Sequence, residues 1–563
     1  MNGLIIIVLA ALVLICGYVV YGRFLAKKWG IDPNAKTPAY TEADGVDYVP
    51  ADTNVVFGHQ FASIAGAGPI NGPIQAAIFG WVPVLLWILI GGVFFGAVQD
   101  FSAMYASVRN KGKSIGVIIE KYIGKLGKRL FLLFTWLFSI LVIAAFADVV
   151  ATTFNGFDAN GAKVVADGAV ATTSILFIVF AVALGMFLKF TKFPTWANTI
   201  VAIALLVGAI AIGVNAPIYF SREFWLIFVF IYIMIACVTP VWALLQPRDY
   251  LNSYLLIAMM AMAFIGIIIY NPAMNLPAFT GFKIVSASTG ATSYLFPTLF
   301  VTIACGAVSG FHSLVSSGTA SKQIKNEKAM LPVSFGAMLL ESFLAVIALV
   351  CVGFAASSSG LPEGTPAQVF ASSIATFLTK VGLPESISYT LITLAVSAFA
   401  LTSLDSVARV GRLSFQELFI DDDTDTEHLS PVVKVLSNTW FATILTLVLA
   451  FLLAKVGYLS IWPLFGSANQ MLSALALLAC AVFFKKTKRQ GGMLWIPMFI
   501  MLAVTFTAIV FKIHDLILSL QAQFVSGNVI QLIFAILLLI LGIVVAIEGL
   551  KTLFSKKKEE AAA

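Results

Sequence analysis

One stretch of this chain constrains its fold more than any other: residues Phe57–Gly80, which read FGHQFASIAGAGPINGPIQAAIFG. The stretch is apolar enough to enter a membrane, yet five helix-breaking residues interrupt it: Gly66, Gly68, Pro69, Gly72 and Pro73. Proline lacks an amide hydrogen and glycine disfavours the helix, so backbone groups lose their helical partners. In lipid this is tolerated only beside protein or a cavity. Because bare N–H groups suit an anion and bare C=O groups suit a cation, the stretch predicts a transport site.

The composition indicates a membrane protein with many spans. Hydrophobic residues make up 60% of the 563 residues and charged residues 11%, with a mean hydropathy of +0.99. The net charge of +7 comes from short basic clusters between apolar spans, which is typical of membrane topology and argues against nucleic-acid binding. The cysteines and histidines are scattered, and neither an HExxH helix nor a GxSxG elbow occurs, so nothing favours an enzyme, a cofactor or a metal site.

The basic clusters also predict the orientation of the chain. A spanning helix needs about 20 mostly apolar residues, and on that rule we expect about fifteen helices. Lys and Arg concentrate in alternate loops, such as Arg109–Arg129, Lys485–Arg489 and the C-terminal Lys556–Lys558. Since cytoplasmic loops carry the excess of basic residues, we expect the N-terminus outside and the C-terminus in the cytoplasm.

An internal repeat is the second feature that constrains the fold. A second broken helix is expected at Tyr294–Thr319, interrupted by Pro297, Gly306, Gly310 and Gly318 and running opposite to the first. Five helices counted from each broken one give inverted repeats at residues 57–213 and 294–484, with two helices between them at 224–270. Residues 1–28 would form a peripheral N-terminal helix and residues 494–550 two C-terminal helices. This is the pattern of secondary transporters built from inverted repeats, so the expected fold is an all-α polytopic membrane protein.

Several stretches, in order along nearly the whole chain, resemble the carbon-starvation protein (CstA) family. They are FGHQFASIAGAGPINGP, GAVQDF, QPRDYLNSYLL, ACGAVSGFHSLVSSGT, LTSLDSVARVGR and WPLFGSANQML. The resemblance implies a bacterial or archaeal inner-membrane symporter with a leucine-transporter-like core of five plus five helices. Such proteins are associated with uptake of pyruvate or peptides when preferred carbon runs out, driven by a proton or cation gradient. Members commonly carry two adjacent histidines where this chain has His59-Gln60.

The implied substrates fix the chemistry of the expected site. Pyruvate and a peptide C-terminus both present a carboxylate, which in low dielectric needs donors such as the N-termini of half-helices. The expected substrate contacts are Gly66, Ala67, Gly68, Asn71 and Gln75 in the first broken helix, and Ser309, Gly310, His312, Ser313, Ser316 and Ser317 in the second. A peptide also carries an amine, but no acid lies within GAGPINGP or GFHSLVSSGT. This favours a small monocarboxylate over a peptide.

Two alternatives remain open for the coupling ion. The resemblance to leucine-transporter-like folds points to the hydroxyls of Thr402 and Ser403 for sodium, with backbone carbonyls near Ser63 and Ala65 as partners. Asp405 follows at once, and it could instead carry a proton or form an ion pair with Arg409 one helical turn on. The further proton-coupling candidates are Asp148, Glu341, His59 and His312, each of which could also be structural.

Two other classes of protein compete with a transporter. A nutrient sensor would bind the same ligands and signal to a cytoplasmic partner, with the loop Ser414–Pro431 as a docking surface. An ion-translocating subunit of a respiratory complex would need lysines at mid-membrane in the broken helices, and neither stretch contains one. The sequence therefore favours a transporter of pyruvate or short peptides.

Overall fold

The computed structural model describes residues 2–44, 48–158, 160–190, 195–239, 245–285, 292–357, 360–419, 430–489 and 491–555, and the chain is nearly all helical. The C-terminal basic cluster Lys556–Lys558 and part of the loop Ser414–Pro431 lie outside these residues. The first helices are α1 (Gly3–Cys16), α2 (Arg23–Trp29), α3 (Pro38–Thr41), α4 (Thr53–Ile64), α5 (Gly68–Ala76), α6 (Trp81–Gly91), α7 (Ala97–Arg109), α8 (Ile115–Tyr122), α9 (Lys125–Thr153), α10 (Val165–Phe190), α11 (Thr195–Asn215), α12 (Arg222–Val238) and α13 (Leu245–Tyr270). A hairpin of β1 (Lys283–Val285) and β2 (Thr292–Tyr294) follows. The later helices are α14 (Leu295–Thr302), α15 (Gly310–Gly318), α16 (Ala337–Ala355), α17 (Pro366–Thr379), α18 (Glu385–Glu417), α19 (Pro431–Leu436), α20 (Thr439–Ala454), α21 (Tyr458–Lys486), α22 (Gly492–Ala522) and α23 (Ser526–Phe554).

Nine helices in the described part of the chain are long and apolar enough to cross a membrane. They run Gly3–Trp29, Trp81–Arg109, Lys125–Thr153, Val165–Phe187, Glu327–Ala355, Glu385–Glu417, Tyr458–Lys486, Gly492–Ala522 and Ser526–Phe554. Three of them pass through a π-helical turn, at Gly17–Gly22, Gly92–Gly96 and Leu331–Gly336, without ending. Shorter apolar helices lie within α11, α13 and α20. The expected class of polytopic helical membrane protein is confirmed.

Burial separates an inner bundle from a periphery. Every residue in the most apolar 18-residue window of α21 is buried, and in α9, α16 and α18 the buried share is 83%. In the N-terminal helix Gly3–Trp29 it is 33%, and in α23 it is 44%. A helix that is apolar on all sides and fully enclosed belongs to the centre of a bundle, whereas α1 and α23 turn one face outward.

Both expected broken helices are present. The first divides into α4 and α5, and the interruption covers residues 65–67, where Ala65 has φ −76° and ψ 59°. The second divides into α14 and α15, with a longer interruption at residues 303–309. Of the five breakers in the first stretch, only Gly66 lies in the interruption. Gly68 and Pro69 begin α5, where proline is tolerated because it has no amide hydrogen to leave unpaired.

The two broken helices run antiparallel. The side-chain amide of Gln60 on α4 donates to the Ser316 hydroxyl on α15 at 2.8 Å, so the first half of one contacts the second half of the other. The other two halves meet at Gly72 of α5, where a Cβ atom would lie 2.7 Å from the Thr302 carbonyl oxygen of α14. Gly72 therefore serves the close approach of α5 to the second broken helix rather than the interruption of its own.

Two elements were not expected from the sequence. Helix α17 has only 14 residues and is rich in Ser, Thr and Ala, so it falls below the length that marks a spanning helix. Its start carries a capping box between Thr365 and Gln368, which is a readable signal. The hairpin β1–β2 pairs Ile284 with Ser293 in the segment between α13 and α14.

The N-terminal span is tied to a segment far along the chain. The Trp29 carbonyl oxygen at the end of α2 accepts hydrogen bonds from the Tyr105 hydroxyl at 2.7 Å and from the Arg489 guanidinium. The Trp29 ring stacks on Phe101 at 4.9 Å between centroids. The end of this helix is thus fixed to α7 and to the segment after α21.

Candidate functional site

A small cavity lies where the two interruptions meet. The interruption in the first broken helix contributes Gly66, flanked by Ile64, and the second contributes Cys305, with Phe311 at the start of α15. Its volume is about 10 Å³, roughly the room of one water molecule. The two breaks predicted from glycine and proline therefore lie on either side of this small space.

Three inner helices complete the wall with residues spaced four apart, so that each set lies on one helical face. They are Phe138, Val142 and Phe146 of α9, Ser403 and Val407 of α18, and Phe465 and Asn469 of α21. Phe146 and Phe465 make an edge-to-face contact at 5.7 Å between centroids. The lining is therefore mostly apolar, with four phenylalanines, and its polar side chains are a hydroxyl and an amide.

Ser403 and Thr402 are adjacent but have different surroundings. A Cβ atom on Gly66 would lie 2.5 Å from the Ser403 hydroxyl oxygen, and that buried oxygen has no hydrogen-bond partner within the described chain. The Thr402 hydroxyl donates to the Ala398 carbonyl at 2.9 Å and accepts a hydrogen bond from the Asn252 amide. Ser403 is thus available to something inside the cavity, whereas Thr402 is already bonded.

Asn469 holds the second interruption in place. Its side-chain oxygen accepts from the Phe311 backbone N–H at 3.1 Å, and its amide nitrogen donates to the Ser309 hydroxyl at 3.0 Å. The Gln99 amide donates to the Ser309 carbonyl oxygen at 2.7 Å and accepts from the Ser473 hydroxyl. Asn469 was not among the expected site residues. Its position four residues after Phe465, on the same face of α21, could have indicated it.

Of the residues expected to contact substrate, all of which the structure describes, only Gly66 lines the cavity. Ala67 ends the interruption and Gly68 begins α5. The Cβ position of Gly68 is filled by the Cys305 side chain. Asn71 and Gln75 lie one turn apart on α5. Their amide nitrogens are buried and make no hydrogen bond to any described residue.

The expected contacts on the second broken helix are bonded within the protein. Gly310 begins α15 against the backbone of Asn469 and Ser473. The hydroxyls beyond it are occupied as follows: Ser313 donates to the Gly310 carbonyl at 2.6 Å, Ser316 accepts from Gln60, and Ser317 donates to the Ser313 carbonyl at 2.6 Å. These residues hold the half-helix rather than lining the cavity.

His312 lies in a separate, fully buried cluster with two acids. Its Nδ1 atom is 3.1 Å from the Asp100 carboxylate on α7, and its Nε2 atom is 3.2 Å from the Glu341 carboxylate on α16. The first contact has hydrogen-bond geometry and the second does not, despite its short distance. His312 was expected beside the substrate and Glu341 as a coupling residue. The structure brings both together with Asp100, which the sequence analysis had left out of the site.

The other two candidate acids have basic partners on neighbouring helices. Asp405 forms an ion pair with Arg248 of α13 and accepts from the Tyr232 hydroxyl at 2.9 Å. Asp148 accepts from the Arg222 guanidinium at 2.7 Å and from the Tyr458 backbone N–H at 2.7 Å. Spacing within one helix could not predict these pairs, because each cation comes from a different helix.

The remaining candidates lie on α4 and α18 near the first break. Ser63 and Ala65 are buried at the end of α4, beside the interruption, and His59 is half-buried one turn earlier. Arg409, the expected partner of Asp405, donates to the Thr239 carbonyl at 2.7 Å and to that of Ala236.

The chain is similar to named transporters over most of its length. A family model described as carbon starvation protein CstA matches residues 2–362 and 355–508. Peptide transporter CstA of Escherichia coli strain K12 is 32% identical over 87% of this chain and 78% of that protein. Pyruvate/proton symporter BtsT of the same strain is 31% identical over 87% of this chain and 78% of that protein. Among solved structures, the crystal structure of MhsT in complex with L-phenylalanine has a TM-score of 0.47 and 14% identity, covering 89% of this chain and 99% of that one.

Proposed function

The chain belongs to the carbon starvation protein CstA family, and from that premise we propose that it is a secondary active transporter. It imports pyruvate or short peptides across the bacterial or archaeal inner membrane together with a proton. The observation that carries this proposal is the cavity between the two antiparallel broken helices, lined by both interruptions. Interrupted helices that meet at a cavity are the usual place for substrate in transporters built from repeats. Relatives named as a peptide transporter and as a pyruvate/proton symporter support it.

The lining favours a small monocarboxylate as substrate. As it stands the cavity has room for about one water molecule, so it must widen to take any substrate, and within the described chain no ionised side chain lines it. A carboxylate in the cavity could accept a hydrogen bond from the Ser403 hydroxyl, which has no partner within the described chain. A short peptide would bring a charged amine, which needs an acidic or carbonyl partner. The aromatic wall would contact the methyl end of pyruvate.

The bonding around Thr402 favours a proton over sodium as the coupling ion. Its hydroxyl donates its hydrogen to Ala398 and uses one lone pair to accept from Asn252, so a single lone pair remains for a cation. The buried cluster of Asp100, His312 and Glu341 consists of groups that take up and release protons. The relative named as a pyruvate/proton symporter agrees with this choice.

We further propose that the N-terminus lies outside and the C-terminus in the cytoplasm, with inverted repeats at residues 57–213 and 294–484. The alternating basic loops and the antiparallel broken helices support this arrangement. A C-terminal fusion to a reporter that is active only in the cytoplasm should be active. Activity from a reporter that works only outside would contradict the proposed orientation.

The experiment that tests the function is uptake of labelled pyruvate into liposomes that contain the purified protein. An imposed pH gradient, alkaline inside, should drive accumulation above the external concentration, and a proton-conducting uncoupler should abolish it. A sodium gradient alone should not drive it. Competition by an unlabelled dipeptide would show that peptides share the site.

A membrane nutrient sensor is the alternative, with part of its proposed docking loop, residues 420–429, outside the described chain. The same liposomes separate the two functions, because a sensor binds its ligand without accumulating it. Intact binding of pyruvate or dipeptide with no uptake under any gradient would favour the sensor.

A further inference from the structure

The cluster of Asp100, His312 and Glu341 is isolated from water and from basic residues. All three side chains are fully buried, on α7, α15 and α16 respectively. Within the described chain no lysine or arginine forms an ion pair with either acid. A carboxylate in hydrocarbon or dry protein is strongly disfavoured unless it is paired, hydrogen-bonded or protonated.

Proton counting limits the states that this geometry permits. An ionised carboxylate only accepts hydrogen bonds, and a neutral imidazole has one donor nitrogen and one acceptor nitrogen. If His312 donates from Nδ1 to Asp100, its Nε2 lone pair faces Glu341 at 3.2 Å. A lone pair of an ionised Glu341 oxygen would then face the lone pair of His312 Nε2, and the two would repel each other. A proton on either Glu341 or Nε2 removes this repulsion, so the close contact favours a cluster that carries a proton over one that has lost it.

Unpaired oxygens on both acids support the same conclusion. The Oδ1 atom of Asp100 and the Oε1 atom of Glu341 are buried and make no hydrogen bond to any described residue. With two ionised acids and a neutral histidine the cluster would carry two negative charges and no compensating cation. Each proton that binds removes one charge, so proton binding changes the local electrostatics strongly.

The neighbouring elements add few other titratable groups. Cys305, a buried thiol in the second interruption, lines the cavity. On α4, Gln60 is neutral and bonded to Ser316, and the half-buried His59 precedes it. A change in charge at the cluster would therefore act chiefly on Asp100, His312, Glu341 and the Cys305 segment.

The cluster is also joined directly to the substrate cavity. His312 follows Phe311, whose ring lines the cavity and whose N–H is bonded to Asn469. Asp100 follows Gln99, which holds the Ser309 carbonyl at the second interruption. Because His312 and Asp100 adjoin Phe311 and Gln99 in the chain, a movement of His312 relative to Asp100 would also shift these two neighbours. Their hydrogen bonds fix the start of α15.

We propose that Asp100, His312 and Glu341 form the binding site of the coupling proton, which binds to His312 or to Glu341 beside it while Asp100 orients the imidazole ring. The proton enters from water on one side of the membrane and leaves to water on the other, so no other reactant is needed. This inference rests on the proposed function as a proton-coupled transporter. It adds the site at which coupling occurs.

The test separates proton coupling from substrate binding in liposomes. Glu341→Gln and His312→Gln keep a polar side chain of similar size, and both should still exchange labelled internal pyruvate for external pyruvate within about threefold of the wild-type rate. Both should lose accumulation under a pH gradient, which in the wild type should reach about tenfold per pH unit for one proton per substrate. Both should also lose the proton uptake that a trapped pH dye reports during transport.

Asp167→Asn is the matched control. Asp167 is another buried acid in a membrane helix, α10, where it accepts a hydrogen bond from Tyr389 at 3.4 Å. This variant should retain exchange, accumulation and proton uptake. Thermal melting of every variant should match the wild type, which separates loss of coupling from loss of folding.

Distinct outcomes would overturn the two proposals. Wild-type protein that neither exchanges nor accumulates substrate would overturn the proposed function. Wild-type uptake together with unchanged proton-driven accumulation in both Glu341→Gln and His312→Gln would overturn only the coupling site. Loss of exchange as well as accumulation in variants that melt normally would also overturn it, because these residues would then act in substrate binding.

Discussion

Ser403 is the polar residue of the cavity whose chemistry is least satisfied by the protein. Its buried hydroxyl oxygen lies beside the first interruption and has no hydrogen-bond partner within the described chain. An unpaired buried hydroxyl destabilises a protein, so such a group persists where a ligand completes its bonding. In the proposed function, that ligand is the substrate carboxylate.

Replacing Ser403 by alanine should therefore weaken uptake without weakening the fold. A hydrogen bond to a charged group contributes about 1.5–3 kcal/mol, so we expect KM for pyruvate to rise about tenfold or more. The melting temperature should be unchanged or slightly higher, because the hydroxyl that is removed makes no hydrogen bond within the described chain. A variant with wild-type KM would show that Ser403 does not contact substrate.

Gly66 should tolerate no larger side chain. In Gly66→Ala the new methyl group would lie 2.5 Å from the Ser403 oxygen and 3.4 Å from the Phe146 ring. Overpacking of this kind costs about 1–3 kcal/mol, and we expect pyruvate uptake to fall about tenfold or more.

Gly58→Ala is the matched control for that variant, because Gly58 lies on the same helix α4, and outside that helix's own backbone no atom of the described chain comes within 4 Å of its Cβ position. It should keep wild-type uptake and gain up to about 1 kcal/mol of stability. Equal uptake by the two alanine variants would contradict the placement of the cavity.

Sequence reasoning found some residues of the site and missed others for a physical reason. Gly66 and Ser403 were predictable, because a helix break and a family motif each leave a local mark. Asp100 and Asn469 were missed because their roles depend on partners that lie 212 and 158 residues away, His312 and Phe311. Distance along the chain hides such contacts unless the fold is known.

Helix α5 acts as a packing surface as well as part of the site. Gly68 and Gly72 lie one turn apart on it, and both let the second broken helix approach closely, at Cys305 and at Thr302. This is how small residues act in membrane helices, where close backbone contact replaces the hydrophobic effect as the force between helices.

Gly72→Leu should separate these two helices. Its Cβ would lie 2.7 Å from a backbone oxygen and 3.1 Å from the Ile303 Cα atom, and neither can rotate away as a side chain would. We expect the melting temperature to drop, by an amount corresponding to about 1–3 kcal/mol, and pyruvate transport to be lost. Gly208→Leu on α11, with no atom within 4 Å, is the control and should melt like the wild type. Normal melting and uptake in Gly72→Leu would contradict this packing.

The sequence predicted the interrupted helices well and the short elements poorly. Glycine and proline within an apolar stretch leave a clear mark on any helix long enough to span a membrane. Helix α17 and the hairpin β1–β2 are too short to be recognised by hydropathy, and they depend on packing for their stability.

At the scale of the whole molecule, four of the buried acids fall into two groups. Asp148 and Asp405 are each bonded to an arginine, whereas Asp100 and Glu341 share only a histidine. An acid that is paired with an arginine tends to keep its charge. We therefore expect the proton that is taken up and released during transport to bind to the second group.

Uptake by the intact protein should therefore depend on pH and not on sodium. Replacing external sodium by choline should change the initial rate of pyruvate uptake by less than about twofold. Lowering the external pH at constant internal pH should raise it, since more protonated transporter then faces the substrate. A rate that rises with sodium at fixed pH would instead restore Thr402 and Ser403 as a cation site.

The tie between Trp29 and Arg489 also bears on how the protein is made. The carbonyl at the end of the N-terminal span has one partner 76 residues later, Tyr105, and a second partner 460 residues later. At typical rates of protein synthesis that interval lasts roughly 20–90 s. The end of this span is therefore fixed in two stages, first to α7 and only much later to the segment after α21. Truncated chains that end before Arg489 should leave the span less firmly held and more open to the quality-control proteases of the membrane.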